Sequence, residues 1–421
     1  MNKYILVFTF LFSIVNFSST LQATELDLEM SGPEYTKYFD TAEFKSRPDR
    51  ASAAVNNVID LGKRNLDWFK LINSQRPADQ QLPLYTPELQ SGIPVESPKA
   101  YNEQTVLADY DALIEAMPES YKEVLLGTEE LPVDHPFASN DEEYLLWARK
   151  MDRVYQSASR WKIMQPNLSY LAARSPQDIR GYYFLSQIED LSAQLLAWAD
   201  LEAGTQSQYV EWLVLLCHNS YEQKDACRAE LNDSIATNTV LSFYEKYFPQ
   251  AEKTYNSFFA IRNARSDAVW TSVNPLLTLF PFIKPESLEV EKWLVDNIED
   301  EWQWGDWKLK LNFLDENTGN AQQTTHIVFT PGATPHVDGL GGSTITMDAN
   351  APLQDYGSRW TIRHEYGHVL GLPDCYIEFY DTDREIIINY QIDLDNLMCS
   401  RRGKLQEKHY LELKKHYYSQ N

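Results

Sequence analysis

The eleven residues from His364 to Asp374, HEYGHVLGLPD, constrain this chain more than any other stretch. Two histidines four residues apart lie on one face of an α-helix, one turn from each other. Their imidazole nitrogens can then converge on a single ion, with Glu365 projecting beside them. Gly371 ends the helix as a left-handed cap and Pro373 prevents it from resuming. The chain reverses there, which brings Asp374 back as a third ligand and leaves a fourth position open, as catalytic zinc requires. Glu378, Asp381, Asp383 and Glu385 follow closely enough to be alternative third ligands. With ordinary residue usage, His-Glu-x-x-His arises by chance in a chain of this length about once in a hundred. Fixing Gly371 and Asp374 as well lowers that by roughly two further orders of magnitude.

The text around the motif divides in two. From about residue 35 to 265 it reads as successive helices. In 141–161, DEEYLLWARKMDRVYQSASRW, the residues Tyr144, Trp147, Met151, Tyr155 and Trp161 fall on one stripe, with Asn140 as cap. Val55, Ile59, Leu66, Phe69 and Ile72 mark another helix, and a third is expected from Ser175–Pro176 to Gly204. After about 266 the texture changes. A helix at 285–302 is followed by strands at 307–314, 325–330 and 343–347, then the motif helix starting near Ser358, and a final helix packing through Tyr410, Leu411 and Leu413. The expected class is α+β: a large α-helical domain, 24–265, and a mixed α/β domain, 266–421. Six of the eight histidines lie beyond residue 325, in the second unit. His326 and His336 could line a cleft there, although a lone histidine at a strand end is ordinarily a surface residue.

The first 23 residues have the form of a secretory leader: Lys3, an apolar run from Tyr4 to about Phe17, then small and polar residues up to Ala23. No later segment is long and apolar enough to span a bilayer, so the mature chain is expected to be secreted or periplasmic. A formal charge of −24 argues against nucleic acid as a partner and leaves protein or peptide substrates. Export makes the four cysteines candidates for disulfides. Three pairings are possible; Cys217 with Cys227 and Cys375 with Cys399 keeps each bridge within one region.

HEYGHVLGLPD resembles the H-E-x-x-H-x-x-G-x-x-D form of the metzincin motif, and is similar to that of snapalysin-type and immune-inhibitor-A-like secreted peptidases. The resemblance covers about 305–421. It implies a zincin-like catalytic domain holding Zn2+ through His364, His368 and Asp374, with Glu365 as general base and then acid in peptide hydrolysis. It also implies a methionine turn under the metal, for which Met398 in DNLMCS is the candidate, and an edge strand that binds extended peptides, for which 343–347 is the candidate. Many relatives carry a tyrosine two residues after that methionine; here the position is Ser400, with Tyr390 and Tyr410 as conceivable substitutes. Since some relatives block the metal with an aspartate, the acids of DHPFASNDEEY (134–144) are candidates for a latent form. Two rival readings stand beside this one. One is a non-catalytic adhesion or scaffold protein with a structural zinc; the other is a metal-dependent amidase acting on cell-wall peptides.

Overall fold

Caps and stripes set the helices of the first half. Ser52 accepts a hydrogen bond from the Val55 amide at the start of Ala53–Ser74, and Asn140 accepts one from Glu143 at the start of Asp141–Met164. The computed structural model describes residues 26–85, 92–270, 277–315 and 324–418. The expected leader, 1–23, lies outside the described residues. The helices used below are α1 (Gly32–Asp40), α2 (Ala53–Ser74), α3 (Asp141–Met164), α4 (Ala203–His218), α5 (Lys224–Ala236) and α6 (Val240–Asn256). Val55, Ile59 and Trp68 of α2 share one buried cluster with Tyr144, Met151 and Tyr155 of α3. Gly62 permits that packing, because a Cβ there would collide with the Tyr155 ring.

The run from Ser175 to Gly204 is broken rather than continuous. Arg180–Leu185 and Leu191–Leu196 are short helices, and Gly204 lies in the first turn of α4. Leu185 and Leu191, six residues apart, point to different sides of any single helix, yet both belong to the cluster built on α4 and α6. Gly181 also presses against the α4 backbone at Trp212 and Leu216, closer than any side chain allows. A disulfide, Cys217–Cys227, joins α4 to α5.

Beyond residue 266 the strands take over. In β1 (Lys99–Tyr101), β2 (Leu277–Ile283), β3 (Trp307–Leu314), β4 (His326–Thr330), β5 (His336–Val337), β6 (Thr344–Asp348), β7 (Tyr376–Asp381) and β8 (Ile386–Gln391), only β1 comes from the first half. In β3, Trp307, Leu309 and Leu311 are buried while Lys308 and Lys310 face water, the alternation of a half-covered sheet. β2 runs parallel to β3, and a bridge from Phe282 to Thr325 carries the sheet on towards β4. β4 is parallel to β6, and β5 is antiparallel to β6 on its other side. The stretch 343–347 is therefore an inner strand, flanked by β4 and β5. The edge belongs to β5, two residues long, which sequence periodicity cannot register.

α7 (Leu288–Leu294), α8 (Tyr356–Val369) and α9 (Glu407–Tyr417) pack around these strands. The buried face of α9 is His409, Leu413 and Tyr417, spaced by four, whereas Leu411 is exposed. Tyr366 and Val369 of α8 share a buried cluster with Phe280, Trp302, Met398 and Leu413. β1 adds to β8, and β8 to β7, in a separate antiparallel sheet. The chain is thus mixed α and β. Among the described residues, no helix is long and apolar enough to cross a membrane.

Candidate metal centre

α8 buries Ile362, Tyr366 and Val369 and turns His364 and His368 to the opposite side, ring centroids 4.7 Å apart. It ends where the sequence places its stop. The Gly371 amide donates to the His368 carbonyl at 2.9 Å, and Gly371 has φ +89°, open chiefly to glycine. A Cβ at Gly371 would also strike the Asn263 carbonyl. The chain then folds back, and Asp374 Oδ1 lies 3.0 Å from His364 Nε2 and 3.4 Å from His368 Nε2. One ligand atom from each of the three residues lies within 4.8 Å of the others.

The tautomers follow from the remaining contacts. His364 Nδ1 meets the Leu397 carbonyl at 3.1 Å and His368 Nδ1 meets the Leu372 carbonyl at 2.9 Å. A carbonyl can only accept, so each Nδ1 carries the hydrogen and each neutral ring turns its Nε2 lone pair inward. Asp374 Oδ1, facing both, is buried and has no hydrogen-bond partner. Three lone-pair donors converging in a mostly buried site demand positive charge, which protons on the rings or one cation can supply. Burial alone would lower the His368 pKa, but the Asp374 carboxylate outweighs it and pushes it up to about 10. Asp374 itself would be raised by burial, yet the two imidazoles hold it well below the carboxylate range. A donor set of two imidazoles and a carboxylate fits zinc.

Glu365 is buried beside this cluster and lines the same cavity, but is not one of the three converging groups. Burial raises its carboxyl pKa, with His368 and His364 partly offsetting the shift. The alternative acids are engaged elsewhere. Glu378 pairs with Arg160 at 2.7 Å; Asp381 pairs with Lys224 at 2.9 Å and, with Asp383 and Glu385, belongs to the β7–β8 hairpin.

Below the helix, Met398 occupies the space a side chain at Gly367 would need. The Cys375–Cys399 disulfide ties the residue after Asp374 to the residue after Met398, and the Cys375 amide donates to the Met398 carbonyl at 3.1 Å. Trp360 stacks on His364 at 4.7 Å and donates from Nε1 to the Ser400 carbonyl. Neither tyrosine considered in place of Ser400 reaches the cluster. The Tyr390 hydroxyl donates to Asp178 at 2.8 Å, and Tyr410 packs against Trp270 and Trp307. The acids of 134–144 do not line the cavity either; Asp141 pairs with Arg76 at 2.5 Å.

The site opens into a cavity of about 950 Å3. One wall is α8 with β5, where His336 and Val337 face the space. The other wall is the segment from Leu26 to Tyr38, through Leu26, Met30, Lys37 and Tyr38. Three acids of this segment converge on one arginine. Arg401 donates to Asp27 at 2.6 Å and to both Glu34 oxygens at 2.8 and 3.0 Å, while its amide donates to Glu29 at 2.6 Å. Sequence patterns do not reveal this wall, whose partners lie more than 360 residues apart. His336 lines the cavity; His326 does not. No model of a known protein family, no curated protein and no solved structure matches this chain.

Proposed function

We propose that the chain is an exported zinc-dependent endopeptidase, with 266–421 as a zincin-like catalytic unit. The observation that carries this reading is the convergence of His364 Nε2, His368 Nε2 and an unpartnered Asp374 Oδ1, with the Glu365 carboxylate buried alongside. His364, His368 and Asp374 would hold the ion. A zinc ion there supplies a Lewis acid that polarises a peptide carbonyl and lowers the pKa of a water towards about 7. Glu365 takes a proton from the attacking water and returns it to the departing amine, a role suited to a carboxylate whose proton affinity is raised by burial. The carbonyls of Leu397 and Leu372 keep both imidazoles in the ligating tautomer. β5 is paired on one side alone and offers backbone groups to an extended substrate.

A structural zinc is normally ringed by protein on all four sides, often by cysteines. Here three groups converge beside a cavity, and the nearby cysteines are joined to each other. The two disulfides also suit an oxidising compartment. The deciding experiment is Glu365→Gln. It should retain about one zinc per chain and lose nearly all hydrolysis of denatured casein. Unchanged turnover, with contaminating protease excluded, overturns the assignment.

A further inference from the structure

Water adding to a peptide carbonyl moves the π pair onto oxygen, and the negative charge that develops there needs a donor aimed at it. Most cationic and hydroxyl groups at the cavity are already committed. Lys37 is paired with Asp348, Arg401 with Asp27 and Glu34, and the Tyr38 hydroxyl donates to Glu43 at 3.3 Å. Ser400 is buried and does not line the cavity.

His336 differs in each respect. Its side chain is exposed and faces the cavity. Its Nδ1 donates to the Thr334 carbonyl at 2.8 Å, which orients the ring and leaves Nε2 free. The backbone around it is fixed on both sides. His336 pairs with Thr346 of β6, and the turn after β5 is pinned to the ligand helix by the Gly341 amide donating to the His368 carbonyl at 2.7 Å. β5 therefore lies alongside α8.

The geometry points to His336 as a catalytic residue of the proposed peptidase, donating from Nε2–H of its imidazolium to the oxygen of the tetrahedral adduct. This rests on the peptidase reading above. In the imidazolium both ring nitrogens donate, so Thr334 and the oxyanion are satisfied together. The balance is simple. The water oxygen bonds to carbon, its proton passes to Glu365, and the π pair moves to oxygen beside His336. Collapse returns that pair to the carbonyl, the C–N bond breaks, and the amine leaves with the proton from Glu365. His336 keeps its proton throughout.

The test compares wild type, His336→Ala and Glu365→Gln on a quenched fluorescent peptide taken from a casein cleavage site. It adds zinc content, thermal unfolding, and binding of a phosphinic pseudo-peptide of the same sequence, whose tetrahedral phosphorus oxygen stands in for the oxyanion. The expected result for His336→Ala is one zinc per chain, an unchanged unfolding temperature and KM within about twofold. Its kcat should fall about 100-fold, with phosphinic affinity weakened by a similar factor. If His336→Ala keeps full kcat and phosphinic affinity while Glu365→Gln is inactive, the role of His336 is overturned and the peptidase reading survives. If Glu365→Gln cleaves as wild type does, both fall.

Discussion

Asp374 shows how far single residues could be read in advance. Its position followed from Gly371 and Pro373 alone, because a left-handed cap and a helix breaker fix where the chain turns within three residues. His364, Glu365 and His368 were legible for the same reason: all four lie within eleven residues, and one helical turn sets their mutual geometry. His336 was singled out only as a histidine that could line a cleft, and Arg401 not at all, since what each faces depends on a strand pairing and on acids between residues 27 and 34. Gly367 carries a hidden constraint of the same kind, making room for Met398 from thirty-one residues away. The residue-scale prediction concerns Asp374→Ala. Removing the carboxylate leaves two imidazoles and an open site, so zinc affinity should fall by more than the 10–100-fold that loss of an outer hydrogen bond costs. Chelator competition measures this directly. Retention of wild-type affinity would move the third ligand elsewhere.

At the scale of elements, periodicity worked where one face is buried over several turns and failed where the element is short. α3 and β3 were read almost to their ends, whereas β5, with two residues, and β1, with three, have no period to detect. The face of α9 was read correctly at Leu413 and at half-buried Tyr410 but not at exposed Leu411, because the buried stripe includes a histidine. His409 is buried with its Nδ1 accepting from the Gln406 amide at 2.9 Å and its Nε2 donating to Asn396 Oδ1 at 2.9 Å. The same Asn396 oxygen accepts from the Met398 amide at 2.8 Å, so α9 supports the turn that carries Met398. Both ring nitrogens are used in the neutral form, and burial first, with Lys408 second, lowers the pKa from 6.5 to about 4. Between those values the unfolded chain binds the proton and the folded chain does not, so stability is full above about 6.5 and is lost as pH falls. The loss from this residue between pH 7 and pH 5 is about 2 kcal/mol. Urea unfolding of wild type and His409→Gln at both pH values should show the variant with the shallower dependence by that amount; equal slopes would mean that the ring titrates normally.

For the whole molecule the question is whether the helical half can be separated from the half that carries the candidate metal centre. β1 completes the β7–β8 sheet, and the segment from Leu26 to Tyr38 walls the cavity. At the centre of the junction Arg160 of α3 and Glu378 of β7 form a buried ion pair at 2.7 Å, 5% and 6% exposed. The Tyr101 hydroxyl from β1 donates to the same carboxylate at 2.6 Å, and Arg160 also donates to the carbonyls of Leu26 and Asp27. None of this was visible in the sequence, where Arg160 and Glu378 look like ordinary charges 218 residues apart. Burial acts to raise the Glu378 pKa, but Arg160 and the hydrogen bonds overcome it and hold it below its ordinary 4.5. The pair therefore contributes stability above that pH, and the contribution is lost as pH falls through the folded value. Replacing Arg160 with Met strands the carboxylate in a dry junction and should cost about 3–5 kcal/mol at pH 7. With the guanidinium gone, burial raises the Glu378 pKa instead, so the variant binds a proton there and its deficit should shrink as pH falls from the raised folded value towards the ordinary 4.5. A double change, Arg160→Met with Glu378→Met, should recover much of the loss, because two apolar side chains leave no charge unpaired. Denaturant unfolding of the three chains at pH 7 and pH 4.5 tests this. A deficit for Arg160→Met that is the same at both pH values would mean that the carboxylate is solvated, and that the two halves meet more loosely than this ion pair implies.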